Sequence, residues 1–159
     1  MNSLLRSSFT GEYDLNLDQK GRVPVPAAFR KVLTHLAQDT LPLGLGPKGK
    51  CLRGFTEGGF NGLIERIDES AKGSNEERAR AALIRREVMS NLAMLSLDSQ
   101  GRVLLPSALR EKGALSGETV FVGCGEYFEL WPKEAWQEEK QRKDVALKSH
   151  EDEILAIYG

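Results

Sequence analysis

Apolar and polar residues alternate near the start of the chain, over residues 8–17. Strict alternation is typical of a β-strand with one buried face. A tight turn follows, then a short strand at 23–25 and a helix that begins near Pro26, with apolar side chains at helical spacing after it. The succession of strand, turn, strand and proline-initiated helix returns at 92–110. The pattern therefore predicts the same local fold twice.

The rest of the chain mixes short strands with longer helices. Thr56 and either Ser74 or Asn75 are N-cap candidates, because their side chains can accept a hydrogen bond from the first helical turn. The predicted elements are a Gly- and Pro-rich loop at 40–50, a strand at 51–55, a helix after 56, a break at 72–75, a long helix, strands at 119–122 and 127–131, and a charged helix after 132. The inner face of the long helix is expected to carry Ala82, Leu83 and Val88.

An internal repeat accounts for the similar elements. Residues 17–23 read LDQKGRV and residues 97–103 read LDSQGRV, and the flanking positions match at the same offset. A weaker match, at a slightly smaller offset, relates Leu52, Phe55 and Phe60 to Phe128, Trp131 and Trp136. Because a unit of about 50 residues buries too little surface to be stable alone, two copies are expected to share one core. The repeat predicts an α+β chain with a mainly β core and a pseudo-twofold axis between the copies.

Composition narrows the possible partners. The 159 residues carry a net charge of −1 with a pI of about 6.2, so only a local basic patch would favour nucleic acid. No run of residues approaches the roughly 18 apolar positions of a membrane span, and we expect none. Cys51 and Cys124 lie in apolar contexts without the spacing of metal ligands, and we expect buried, reduced thiols.

Three patterns resemble catalytic or nucleotide-binding sites, but in each the neighbouring residues do not suit such a site. Residues 44–50 approach a P-loop, but the Ser or Thr that would hold Mg²⁺ is missing and a strand follows instead of a helix. Asp18 and Asp98 could meet across the pseudo-twofold axis as a carboxylate dyad, yet the arginine four positions after each favours a permanent ion pair. His35 and His150 have no nucleophile near them in sequence. We therefore expect no enzyme, no metal site and no cofactor.

The doubled turn is the strongest functional candidate. Its residues are Asp18, Lys20, Gly21 and Arg22 in the first copy and Asp98, Gln100, Gly101 and Arg102 in the second. In one interpretation each Asp–Arg pair only pins its turn. In the other, a two-stranded ribbon enters the DNA major groove, each arginine donates two hydrogen bonds to a guanine, and each aspartate orients its arginine. Since Lys20 adds a cation that the second turn lacks, we expect the first turn to dominate phosphate contact.

Residues 11–13, both turns, and the segments 103–106 and 122–131 resemble the MraZ family of bacterial transcriptional regulators. The resemblance covers roughly residues 8–140, and two D-x-x-x-R motifs at this separation are a specific signal. It implies two tandem AbrB/SpoVT-type swapped-hairpin units that form a double-hairpin barrel with flanking helices. The expected boundaries are 9–57 for the first unit, 58–91 for connecting helices, 92–134 for the second unit and 135–159 for a C-terminal helix and tail.

The resemblance also implies a function and an assembly. Such a protein would bind G-containing direct repeats in double-stranded DNA and repress the promoter of the cell-division and cell-wall gene cluster that contains its own gene. It would act as a homo-oligomeric ring in the cytoplasm, associated with the nucleoid, without a membrane partner or small-molecule substrate. The alternative is an AbrB-type antitoxin whose C-terminal tail, here 132–159, binds a partner protein. Two hairpin units within one chain argue against that alternative.

Overall fold

The computed structural model of the protein describes residues 4–159. The strands in this range are β1 (Glu12–Asn16), β2 (Arg22–Pro24), β3 (Leu41–Leu45), β4 (Leu52–Phe55), β5 (Ala93–Leu95), β6 (Arg102–Leu104), β7 (Glu118–Gly123) and β8 (Tyr127–Pro132). The α-helices are α1 (Ala27–His35), α2 (Glu57–Ser70), α3 (Asn75–Ser90), α4 (Ser107–Lys112), α5 (Lys133–Lys148) and α6 (Glu151–Tyr158). None of these helices is both long and apolar enough to cross a membrane.

Two antiparallel sheets organise these elements. Six strands form one sheet in the order β1-β7-β8-β4-β3-β5, and β2 and β6 pair separately as a two-stranded ribbon. The α+β class with a mainly β core is therefore confirmed. The predicted closed barrel is not found, because β1 and β5 are the two edges of the large sheet and do not pair with each other. Because β2 and β6 pair with each other, neither of them joins β1 to β5, and the six-stranded sheet stays open in the described part of the chain.

The two repeat copies have the same local fold and are interlocked. The first copy runs β1, turn, β2, α1, and the second runs β5, turn, β6, α4, as the repeat predicts. β1 of the first copy pairs with β7 of the second, and β5 of the second pairs with β3 of the first. Each copy thus takes the partner of its first strand from the other copy, so the two share one sheet and one core.

A pseudo-twofold axis relates the copies, and two residue pairs lie on it. Val23 pairs with Val103 in the ribbon, and Arg53 pairs with Glu129 between β4 and β8. The members of each pair occupy equivalent positions in the two sequence matches described above. In an antiparallel pair of equivalent strands, a position can face its own equivalent only at the symmetry axis. The axis therefore passes through the centre of the ribbon and the centre of the large sheet.

The prediction of a loop at 40–50 is wrong for Leu41–Leu45, which form the strand β3. Pro42 and Gly44 suggest a loop, but Leu41–Leu45 pairs with β4 on one side and β5 on the other. Residues 41–44 are all buried. The strand forms because two neighbours supply hydrogen-bond partners and the core covers its side chains, which outweighs the weak strand preference of its sequence. It occupies in the first copy the place that β7 occupies in the second.

Four phenylalanines form the centre of the core on the inner face of the sheet. Phe9, Phe29, Phe121 and Phe128 are each no more than 1% exposed. The ring centroids of Phe9 and Phe29 lie 5.0 Å apart, and those of Phe29 and Phe128 lie 5.2 Å apart. Aromatic pairs at such distances contribute about 0.5–1.5 kcal/mol beyond their buried area. Because Phe29 belongs to α1, these contacts hold that helix against strands of the second copy.

Both predicted N-caps are observed. The Thr56 hydroxyl accepts a hydrogen bond from the backbone N–H of Gly59 at 3.0 Å. Ser74, rather than Asn75, caps α3: its hydroxyl accepts from the N–H of Glu77 at 3.2 Å, and the Glu77 carboxylate accepts from the N–H of Ser74. This reciprocal arrangement satisfies two backbone donors that the start of a helix leaves open.

The inner face predicted for α3 is wrong for two of its three residues. Ala82 is exposed and Leu83 is 63% exposed, whereas Ala81 is buried and Val88 is half-buried. α3 packs mainly against α2, so only a narrow stripe around Ala81 is covered.

Candidate functional site

The first turn is organised by the carboxylate of Asp18. One oxygen, Oδ1, accepts hydrogen bonds from the backbone N–H groups of Lys20 and Arg22, both at 2.9 Å. The other oxygen, Oδ2, accepts from Nε of Arg22 at 2.8 Å. Gly21 donates its N–H to the Asp18 carbonyl at 3.0 Å and has a φ of 87°, which favours glycine. The carboxylate therefore fixes both the backbone of the turn and the arginine side chain.

The second turn reproduces this geometry. Oδ1 of Asp98 accepts from the N–H groups of Gln100 and Arg102 at 2.9 Å, and Oδ2 accepts from Nε of Arg102 at 2.9 Å. Gly101 donates to the Asp98 carbonyl at 3.0 Å and also has a positive φ. Corresponding hydrogen bonds in the two turns are nearly equal in length. The eight predicted turn residues thus form two equivalent sites.

Each arginine keeps part of its guanidinium available. Within residues 4–159, Nε of Arg22 and Nε of Arg102 make the only side-chain hydrogen bonds of these arginines, so Nη1 and Nη2 of each have no protein partner there. The side chains are 33% and 27% exposed, respectively. A guanidinium held at Nε and open at both Nη atoms can donate two parallel hydrogen bonds to one planar acceptor.

The aspartates remain charged at neutral pH. Hydrogen bonds from the backbone and side chain of Arg22 hold the pKa of Asp18 below its ordinary value of 3.8. The pKa of Asp98 is lowered in the same way by the backbone and side chain of Arg102. Since each carboxylate has its own arginine and its own turn, the two do not share a proton, and the dyad interpretation has no support in the geometry.

The ribbon brings both arginines to one face. Val23 and Val103, at its centre, are buried at 0% and 1% exposure. Side chains alternate between the faces of a strand, so Arg22 and Arg102 lie on the opposite face from the valines, away from the core. Backbone hydrogen bonds from Val25 to Gly101 and from Leu105 to Gly21 tie each turn to the other copy. The two turns are therefore held at opposite ends of one rigid ribbon.

Two further arginines lie against the turns and were missed by sequence reasoning. A Cβ built on Gly21 would lie 2.7 Å from Cζ of Arg110, and one built on Gly101 would overlap the guanidinium of Arg30. Nε of Arg110 donates to the Leu105 carbonyl at 3.2 Å. Each turn thus has a second guanidinium from the helix of the other copy. The match of Arg30 with Arg110 at the repeat offset was a signal, but the contact depends on how the copies interlock.

The other candidate residues are not part of this site. Cys51 is buried, and burial raises the pKa of its thiol to about 12, but Cys124 is exposed, so the prediction that both cysteines are buried is wrong for Cys124. Cys124 lies in the turn between β7 and β8, which leaves one side uncovered. Residues 47–49 form a 3₁₀ turn followed by the strand β4, so no helix begins after the P-loop-like segment. Residues 4–159 contain no group of three or more His, Cys, Asp or Glu side chains placed to hold a metal ion.

Comparison with known proteins identifies the family of the chain. Residues 90–156 match the family model described as "MraZ protein, putative antitoxin-like". The chain is 36% identical over 129 residues to the transcriptional regulator MraZ of Roseiflexus castenholzii, covering 81% of this chain and 84% of that protein. It is 36% identical over 138 residues to the regulator of the same name from Gluconobacter oxydans, covering 85% and 82%. The corresponding protein of Hydrogenovibrio crunogenus is 34% identical over 128 residues, covering 80% and 82%. The chain belongs to the MraZ family, a family of transcriptional regulators and not of enzymes.

Proposed function

We propose that this protein is a sequence-specific DNA-binding regulator that reads G-containing direct repeats in double-stranded DNA with its turn arginines. The observation that carries the proposal is the pair of equivalent turns, each with an arginine held at Nε and open at both Nη atoms. Guanine presents O6 and N7 in the major groove as two acceptors that match this donor pair. A two-stranded ribbon has dimensions that the major groove admits.

The turn residues have distinct roles in this proposal. Arg22 and Arg102 contact bases, while the charged carboxylates of Asp18 and Asp98 orient them. Lys20 is exposed and contacts phosphate; Gln100, at the equivalent position, offers a neutral donor instead. The first turn therefore contributes more to the salt-dependent part of binding.

Assembly and regulation extend the proposal. A net charge of −1 gives one chain little overall attraction for DNA, so several copies in a homo-oligomeric ring are proposed to engage successive repeats, which raises the effective concentration of each turn. The proposed target is the promoter of the cell-division and cell-wall gene cluster that contains the protein's own gene, where binding represses transcription. The protein would then act in the cytoplasm, associated with the nucleoid.

We also infer that the copies are swapped-hairpin units of the AbrB/SpoVT type. The inference is supported by the exchange of β1 and β5 between copies and by the pairing of β2 with β6. The proposed division of the chain is 9–57 and 92–134 for the two units, 58–91 for connecting helices and 135–159 for the C-terminal helix and tail.

Competition binding on a G-containing direct repeat against scrambled DNA tests the proposal. Arg22→Ala is expected to remove sequence discrimination, because losing a bidentate guanine contact costs roughly 1–3 kcal/mol per engaged turn. Arg102→Ala should have a smaller effect, since its turn lacks the neighbouring lysine. Arg86→Ala is the matched control, because Arg86 is an exposed arginine on α3 and not on the ribbon. If Arg22→Ala keeps wild-type discrimination while the oligomer remains intact, the turn does not read bases.

Lys20→Ala separates phosphate contact from base reading. The variant should weaken binding to all sequences alike and reduce the slope of log affinity against log salt by about one per engaged turn. Titrations of specific and scrambled DNA at two or more salt concentrations measure both effects. A loss confined to the specific sequence would assign Lys20 to base reading instead.

An antitoxin-like role is the second candidate, and the description of the matching family model as antitoxin-like is the observation that favours it. In that role the C-terminal segment 132–159 would bind a toxin. A small protein that co-purifies in stoichiometric amount and is lost when this segment is altered would favour the antitoxin, and purification without one would favour the regulator.

A further inference from the structure

The face of the ribbon that points away from the core carries a large apolar side chain beside the arginines. Leu104 is 58% exposed, whereas Val103, the residue before it in β6, is 1% exposed. Neighbouring residues of a strand point to opposite faces, so Leu104 lies on the same face as Arg22 and Arg102. Since apolar surface is unfavourable in water, covering Leu104 lowers the free energy. The arginine face therefore offers an apolar contact as well as charge.

The register of the ribbon places Leu104 directly opposite Arg22. In an antiparallel pair, the Cβ atoms of opposite residues lie about 4.5–5.5 Å apart. Successive base pairs of DNA lie about 3.4 Å apart along the helix axis, so this separation corresponds to roughly one or two base-pair steps. When Arg22 contacts one base, the side chain of Leu104 therefore meets a base close beside it.

Leucine can recognise only one kind of feature in the major groove. The edges of the bases present hydrogen-bond donors and acceptors there, and thymine adds its C5-methyl group. The side chain of Leu104 has no donor and no acceptor, so it forms no hydrogen bond with any base. Apolar side chains contact the thymine methyl group, and that contact removes both apolar surfaces from water.

We propose that Leu104 contacts the methyl group of a thymine close beside the guanine that Arg22 reads. The contact depends on the proposed reading of bases by the turn arginines, and it adds a second base to the site. Arg22 supplies hydrogen bonds to the guanine, and Leu104 shields the thymine methyl group from water. Together they recognise a pair of neighbouring bases instead of a single one.

The contact makes the two ends of the ribbon unequal. Pro24 is the equivalent residue of the first copy and lies opposite Arg102. It is half-buried, and its ring closes onto its own backbone nitrogen, so it reaches less far than Leu104. Two equal ends related by the pseudo-twofold axis would favour an inverted repeat. A thymine preference at one end gives each site a direction, which suits direct repeats.

Replacing thymine by deoxyuridine tests the contact, because it removes the methyl group and keeps the hydrogen-bonding groups of the base. The probe is a G-containing direct repeat, prepared either with thymine or with deoxyuridine throughout. Wild type should bind the thymine DNA about fourfold more tightly per engaged ribbon, the effect of burying one methyl group. Leu104→Ala should bind the two DNAs equally. Any effect of the methyl group on DNA shape acts on both proteins alike, so the difference between their affinity ratios isolates the contact.

Two further variants serve as controls. Leu104→Met keeps a long apolar side chain and should keep most of the preference for thymine. Leu83→Ala removes a leucine of α3 that is 63% exposed, and it should leave the preference unchanged. Because Leu104 is also exposed, thermal melts and light scattering on DNA-free protein should show that Leu104→Ala keeps the fold and assembly of wild type.

Two outcomes overturn the thymine contact. The first is a Leu104→Ala variant that keeps the wild-type ratio of affinities for the two DNAs. The second is a Leu104→Ala variant whose assembly changes in the absence of DNA, which would assign Leu104 to a protein contact. Arg22→Ala distinguishes these results from a failure of base reading. If Arg22→Ala discriminates like wild type, both proposals are wrong; if it loses discrimination while Leu104→Ala keeps the ratio, only the thymine contact is wrong.

Discussion

At the residue scale, Asp18 uses its two carboxylate oxygens for different partners: Oδ1 accepts from the backbone of the turn and Oδ2 accepts from the Arg22 side chain. Asp18→Asn keeps an oxygen for the backbone donors but replaces the acceptor of Nε with a donor. We expect this variant to fold normally and to lose discrimination by roughly tenfold per engaged turn, or about 1.4 kcal/mol. Asp18→Ala should lower the melting temperature as well. If Asp18→Asn binds like wild type, the aspartate only pins the turn.

The lowered pKa of each aspartate also predicts how stability depends on pH. A carboxylate whose pKa is lower in the folded than in the unfolded state stabilises the fold above its unfolded pKa and loses this contribution as pH falls through the folded value. The advantage of wild type over Asp18→Asn should therefore be present at neutral pH and disappear as pH falls below 3.8. Thermal melts of both proteins from neutral to strongly acidic pH measure it. A difference that grows towards low pH would contradict the assignment.

The turns could be predicted from the sequence because the hydrogen bonds of each Asp carboxylate close within a few residues along the chain. Local chemistry of Asp, Gly and Arg at fixed spacing is sufficient for that. The contact of Arg110 with Gly21 could not be predicted in the same way. It joins residues far apart in the chain and exists only because the two copies interlock.

At the element scale, β4 depends on a glycine that makes room for an aromatic ring. Gly54 pairs with Phe128 across the sheet, and a Cβ at Gly54 would overlap that ring. Gly54→Ala should therefore reduce the free energy of unfolding by about 1–3 kcal/mol through overpacking. Gly58→Ala is the matched control: it lies in α2, where the nearest atom to a new Cβ is 3.8 Å away. That change should be neutral or stabilise by up to about 1 kcal/mol. Urea denaturation compares them, and equal effects would refute the packing argument.

Elements with a strong local signal were predictable, and those decided by tertiary context were not. The caps at Thr56 and Ser74 follow from residue type and position. The strand β3 could not be predicted in this way, because Pro42 and Gly44 in its sequence are unfavourable in strands. Its stability comes from pairing with neighbouring strands on both sides. The second copy could have indicated this strand, because β7, its equivalent there, has a sequence typical of a strand.

At the scale of the whole molecule, the pair Arg53–Glu129 marks a difference between two otherwise similar copies. The side chains are 25% and 15% exposed, and Arg53 also lies 4.2 Å from the centre of the Tyr127 ring. Arg53 and Glu129 occupy equivalent positions on the axis. If the first copies of two different chains paired, Arg would therefore face Arg, and if the second copies paired, Glu would face Glu. The opposite charges therefore favour pairing of the first copy with the second.

A charge-reversal cycle tests this role. Arg53→Glu and Glu129→Arg should each cost about 2–3 kcal/mol, because each leaves two like charges facing in a partly buried place. The double variant Arg53→Glu/Glu129→Arg should regain most of this loss. Denaturant unfolding of the four proteins gives the coupling energy. If the single effects simply add in the double variant, the pair does not select the partner.

The interlocking of the copies has a consequence for synthesis of the protein. β1 lies near the start of the chain, yet its hydrogen-bond partner is β7, and Phe9 bridges to Gly125. The first copy therefore leaves the ribosome with an unpaired strand edge and an incomplete core, and it stays so until most of the second copy has been translated. Such long-range pairing makes folding slow and exposes apolar surface meanwhile. Two similar modules in one chain would suggest that each folds in its own step. Because these two share one sheet and one core, we expect the chain to fold in a single step, late in synthesis.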